Sequence, residues 1–77
     1  MLDAREIRTR LEEAFPDAAV EAHDSTGAGD HFAVTVVTDR FAGKSLVERH
    51  QMIYGALTAL MPRIHALQLK TVTPAER

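Results

Sequence analysis

The 77-residue sequence contains no cysteine, which excludes a disulfide framework and a thiolate zinc site and leaves stability to packing alone. No apolar run approaches the roughly 20 residues that cross a bilayer, and nothing resembles a signal peptide. The expectation is a cytoplasmic protein with no membrane partner. Length is also short. A chain of this size buries only about 60% of the surface its unfolded form exposes, so a single domain over residues 1–77 with one small core is expected. Such a core leaves little room for a deep private active site and favours a binding or adaptor module over an enzyme. No serine, histidine and carboxylate set stands out, and no thiol nucleophile exists. "GAGDHF" lacks the full dinucleotide fingerprint, and "AGKS" ends like a phosphate loop without its first glycine, position 38 being Thr.

The charges present are unevenly placed, although the net charge is only −2. Residues 1–39 carry three basic side chains (Arg5, Arg8, Arg10) against nine acidic ones, a balance of −6, and residues 40–77 carry six against Glu48 and Glu76, a balance of +4. The basic second half could meet phosphate, while the density of cations is ordinary for a solvated surface.

Periodicity orders the chain as α-β-β-α-(α)-β. In "DAREIRTRLEEAF", Asp3 and Glu6 have capping-box spacing and Ile7, Leu11 and Phe15 recur every four residues up to Pro16. Val20 and Ala22 alternate with Glu21 and His23, and after the "DSTGAGD" loop Phe32, Val34 and Val36 alternate with His31, Ala33, Thr35 and Val37, giving two strands. Ser45 with Glu48 is a second capping box before a helix whose face carries Leu46, His50, Ile53 and Leu57. Gly55 is expected to break this stretch into two shorter helices, and Pro62 to close it. A third strand is expected over Ile64–Val72. The prediction is an α+β fold with the helices on one face of a three-stranded mixed sheet, strands one and two antiparallel and strand three parallel to strand two after a right-handed crossover. Ile7, Leu11, Phe15, Phe32, Val34, Val36, Leu46, Ile53, Leu57, Leu67 and Leu69 form the expected core.

This topology places His31 and His65 at the starts of neighbouring parallel strands, hence at one end of the sheet. Strand parity, however, groups His65 with Leu67 and Leu69 and sets His31 opposite Phe32, so the two converge only if one lies in loop geometry. Two imidazoles do not close a tetrahedral site; the pair reads either as no metal site or as one completed by another molecule. His50, between Leu46 and Ile53, reads as a core histidine bonded to backbone, and His23 as an exposed polar residue and reserve ligand.

The stretches "GAGDHFAVTVV", "FAGKSLVERHQMIYGAL" and "IHALQLKTVTP", in that order between Gly27 and Pro74, resemble the BolA-like proteins, most closely the short bacterial branch with G-x-G-x-H-F in the loop. The resemblance implies a fold similar to the type II KH domain. It also implies a complex with a monothiol glutaredoxin that jointly holds a 2Fe-2S cluster, the glutaredoxin and its glutathione giving thiolates. His65 matches the family's C-terminal histidine ligand. The second ligand comes from the loop between strands one and two; the cysteine of the G-C-G branch falls at Ala28 here, so His31 is the nearest substitute and His23 the next. The implied function is a non-enzymatic adaptor in iron-sulfur cluster assembly, trafficking or regulation. The alternative is a nucleic-acid-binding transcriptional regulator that would contact DNA phosphates through Lys44, Arg49, Arg63 and Lys70, against which stand the missing G-x-x-G loop and the scarcity of aromatics for base stacking. A third reading is a metal-free binding partner, and weak homodimerisation is compatible with all three.

Overall fold

The computed structural model describes residues 1–77. Helix α1 (Ala4–Ala14) begins where extended Asp3 accepts the Arg5 amide at 2.8 Å, satisfying one donor that a helix start leaves open. The reciprocal arm expected from Glu6 does not form; that carboxylate instead faces Arg63 at 3.7 Å. Strands β1 (Ala19–Asp24) and β2 (His31–Val37), helix α2 (Leu46–Ala56) and strand β3 (Ala66–Val72) follow, with 3-10 turns at Asp39–Phe41, Met61–Arg63 and Pro74–Glu76. At the start of α2 both arms of the capping box are made: Ser45 Oγ accepts the Glu48 amide at 3.1 Å and Glu48 accepts the Ser45 amide at 2.8 Å. The piece expected to continue as a second helix beyond Gly55 is a turn and a single 3-10 turn. Pro62 sits within it, and without an amide proton it cannot extend an α-helical ladder.

The sheet order is β1-β2-β3, β1 antiparallel and β3 parallel to β2. Phe32 pairs with Leu67, Val34 with Leu69 and Val36 with Thr71 on the face that the helices cover, while His31 pairs with Ala66, Ala33 with Gln68 and Thr35 with Lys70 on the open face. One cluster joins Leu2, Ile7, Leu11, Phe15, Phe32, Val34, Val36, Phe41, Ile53, Leu57 and Leu60. Three expected core members differ. Leu46, the first residue of α2, is 63% exposed. Leu67 and Leu69 are only half-buried, lying on an edge strand. Their places are taken by Leu2, Phe41 and Leu60, all outside regular helix or strand. No helix is long and apolar enough to cross a membrane.

Candidate functional site

The loop between β1 and β2 is built around one carboxylate. Asp24 accepts the amides of Thr26 and Gly27 through Oδ1 at 3.3 and 2.9 Å and that of Gly29 through Oδ2 at 2.9 Å, and Thr26 Oγ1 accepts the Ala28 amide at 3.2 Å. Gly27 and Gly29, at φ of 81° and 79°, supply the left-handed turns this wrapping requires. The loop therefore has a defined course and delivers the chain to Asp30 and His31. Ala28, within this loop, is exposed, and its methyl group offers no ligand.

At the exit of that loop the imidazoles of His31 and His65 meet, their ring centroids 5.0 Å apart. The expected conflict of parity is resolved because β3 starts at Ala66, not Ile64. The amides of His65 and Ala66 both donate to the Asp30 carbonyl, at 2.7 and 3.1 Å, which bends the chain so that His65 is exposed instead of following Leu67 inward. Asp30 also engages His31 directly: Nδ1 of the ring lies 2.7 Å from Oδ1. That hydrogen bond is the main reason the Asp30 carboxyl is held below its ordinary value; desolvation opposes it, and the charges of His31 and His65 add to it.

His23 is exposed on β1 opposite Ala33, on the same open face as His31 but two residues further along the sheet. No group of three or more His, Cys, Asp or Glu side chains is placed to hold a metal ion, so His23 does not complete a site with the other two. His50, expected to be bonded to backbone, is half-buried with Nε2 enclosed and without a hydrogen-bond partner, its ring edge-on to Tyr54 at 6.5 Å. The cavity beside His31, lined by Ser25, Thr26, Phe32, Ala66 and Gln68, is about 140 Å³, too small for a drug-sized molecule. The largest hollow, about 550 Å³ between α1 and Arg63, lies away from the histidines, and ion pairs within its own lining occupy much of the charge there. The sheet-end site is thus an open surface that two imidazoles share.

The four basic residues expected to contact phosphate are dispersed. Arg49 is spent inside the fold: its guanidinium donates to Glu76 at 2.7 and 3.0 Å, to the Thr71 carbonyl and to the Lys44 carbonyl, and its Cζ lies 5.8 Å from the centre of the Phe41 ring. With its side chain only 12% exposed, it is a clasp between α2 and the C-terminal turn. Arg63 faces Glu6 and the Met1 carbonyl, Lys44 precedes α2, and Lys70 stands on the open sheet face beside Thr35. The residues missed in the sequence are Asp24 and Asp30. The first had a legible signal in an aspartate leading a Ser-Thr-Gly turn, whereas the second makes its contacts through a bend that no periodicity encodes.

A BolA-like protein family model matches residues 8–76. The chain is 36% identical over 75 residues to human BolA-like protein 2, covering 95% of this chain and 87% of that protein. It is 39% identical over 82 residues to the DNA-binding transcriptional regulator BolA of Escherichia coli strain K12, covering 91% and 78%. Its structure is similar to the BolA domain of SufE1 from Arabidopsis thaliana, with a TM-score of 0.84, 38% identity and coverage of 96% and 94%.

Proposed function

The chain belongs to the BolA-like protein family, and on that footing we propose that it is a non-enzymatic iron-sulfur adaptor that shares a 2Fe-2S cluster with a monothiol glutaredoxin and its glutathione, for cluster assembly, trafficking or regulation. The observation that carries this reading is the pair His31 and His65, 5.0 Å apart between ring centroids at one exposed sheet end. Each iron of such a cluster takes two ligands from outside the core, and two histidines replace two cysteines on one iron in Rieske-type centres. The donor set fits half of that requirement. Two imidazoles would supply half of the outside ligands, the chain has no thiol of its own, and a partner bringing two thiolates would complete the set. Histidine ligation of this kind would raise the potential of a bound cluster above that of an all-thiolate one, and protonation of His31 or His65 would oppose it. The exposed, shallow surface suits a site that a second protein closes.

Anaerobic reconstitution of the protein with a monothiol glutaredoxin and glutathione, followed by visible absorption and circular dichroism, tests this. A heterodimer with a spectrum distinct from that of the glutaredoxin's own cluster supports the reading. A glutaredoxin that keeps its own spectrum and elutes apart from this chain overturns it.

A second reading rests on the name of the Escherichia coli relative, a DNA-binding transcriptional regulator. For this chain Lys44 and Lys70 are the available phosphate contacts and Arg63 a partly paired one, on separate parts of the fold. Binding to duplex DNA that is measurable at low salt and falls with added salt supports this second function; no binding at low salt retires it.

A further inference from the structure

Asp30 contacts both histidines by different means. Its carbonyl accepts the His65 and Ala66 amides at 2.7 and 3.1 Å, and its carboxylate oxygen lies 2.7 Å from His31 Nδ1. An ionised carboxylate only accepts hydrogen bonds, so Nδ1 of His31 must carry the proton. In neutral imidazole the lone pair is then on Nε2, which makes no hydrogen bond within the protein. Carboxylate-bonded histidines of this kind are how metal sites fix ring orientation and tautomer, and losing the outer carboxylate typically costs 10–100-fold in metal affinity. His31 is half-buried, and its ring lies 5.0 Å from the exposed imidazole of His65, so the unbonded nitrogen belongs to a ring already held beside a second imidazole.

We propose that Asp30 is a positioning residue that holds His31 in the Nδ1–H form and so reserves Nε2 as the atom that meets the metal centre, an inference that rests on the cluster-sharing function proposed above. The carbonyl of the same residue fixes the bend at His65 just before β3, so one residue aligns both imidazoles without itself touching the metal.

The test has two readouts. In the metal-free protein, at a pH where NMR shows the His31 ring to be neutral, long-range proton–nitrogen correlation reports its tautomer. Wild type should show Nδ1–H, Asp30→Ala should shift the ring toward Nε2–H, and Asp30→Asn, which keeps a neutral acceptor oxygen, should stay near wild type. The Ala66 amide should remain protected from exchange in all three, since its acceptor is main chain. In the reconstituted glutaredoxin complex, Asp30→Ala should hold the cluster 10–100-fold less tightly, with Asp30→Asn recovering most of the loss. Nε2–H in the wild type, an unchanged tautomer in Asp30→Ala, or a switched tautomer with undiminished cluster retention each overturns the proposal. If wild type gathers no cluster while the tautomer switches as expected, the functional reading falls and the positioning of His31 by Asp30 stands.

Discussion

Removing the Phe41 ring tests whether the core is the one described, because no strand or helix pattern marks this residue. Phe41 is fully buried on the turn Asp39–Phe41, its ring 6.0 Å from that of Phe15 and lying under the Arg49 guanidinium. Phe41→Ala forfeits the transfer energy of the ring and leaves a cavity, together about 3–5 kcal/mol. At about 0.05–0.15 kcal/mol per residue, a domain of 77 residues is stable by roughly 4–12 kcal/mol. The substitution therefore removes a quarter or more of the total. In a domain this small each kcal/mol moves the midpoint by about 4–8 °C, so Tm should fall by at least about 12 °C. Leu46→Ala is the control: at 63% exposure it should cost no more than about 0.5 kcal/mol. Urea unfolding of both variants, followed by far-ultraviolet circular dichroism, measures the difference. A cost below about 1 kcal/mol for Phe41→Ala, or equal costs for the two, would refute this assignment of the core.

Three further outcomes are expected. The Arg49 guanidinium holds Glu76 down to about 2 from its ordinary 4.5; a depressed carboxylate contributes stability above its ordinary value and loses it as pH falls from 4.5 through about 2, so Glu76→Gln should flatten acid destabilisation in that window, and an unaltered acid limb contradicts the clasp. Gly29 has φ of +79°, and a Cβ there would collide with the Met1 side chain and come within 3.1 Å of the Leu2 carbonyl oxygen. Gly29→Ala should cost about 1–2 kcal/mol and speed amide exchange at Leu2, which donates to the Gly29 carbonyl; unchanged exchange and stability would count against the anchoring of this loop. If DNA is bound, Lys70→Ala should reduce the salt slope by about one unit and Arg49→Met should act through lost stability, whereas the reverse pattern would mean that Arg49 leaves its clasp to meet phosphate.

Alternation in β2 and the serine-glutamate box of α2 were legible in the sequence because each is a local pattern with one physical solution: Phe32, Val34 and Val36 can all be buried only on one face, and Ser45 and Glu48 satisfy each other's amides. The meeting of His31 and His65 was legible only as far as topology carries it. Where the two rings point depends on a bend at residue 65, which is set by two amides converging on one carbonyl from another part of the chain. The same limit explains the core. Phe41 and Leu60 are buried by turns whose direction follows from the packing of the helices, and Leu46 escapes burial although the helical period assigns it to the inner face. Arg49 looked like a surface cation because the Glu76 that captures it lies in a terminal turn with no repeating pattern of its own.

Pulsed electron paramagnetic resonance of the reduced cluster in the complex with glutaredoxin addresses the ligation by His31 and His65 directly, because it reports nitrogen bonded to iron. Wild type should show couplings from two imidazole nitrogens, and His65→Ala and His31→Ala should each lose one while His23→Ala keeps both. His65→Ala removes an exposed ring and should leave the thermal transition of the metal-free protein within about 0.5 kcal/mol of wild type. A cluster without nitrogen couplings, or one whose couplings survive His65→Ala, would contradict ligation by the histidine pair.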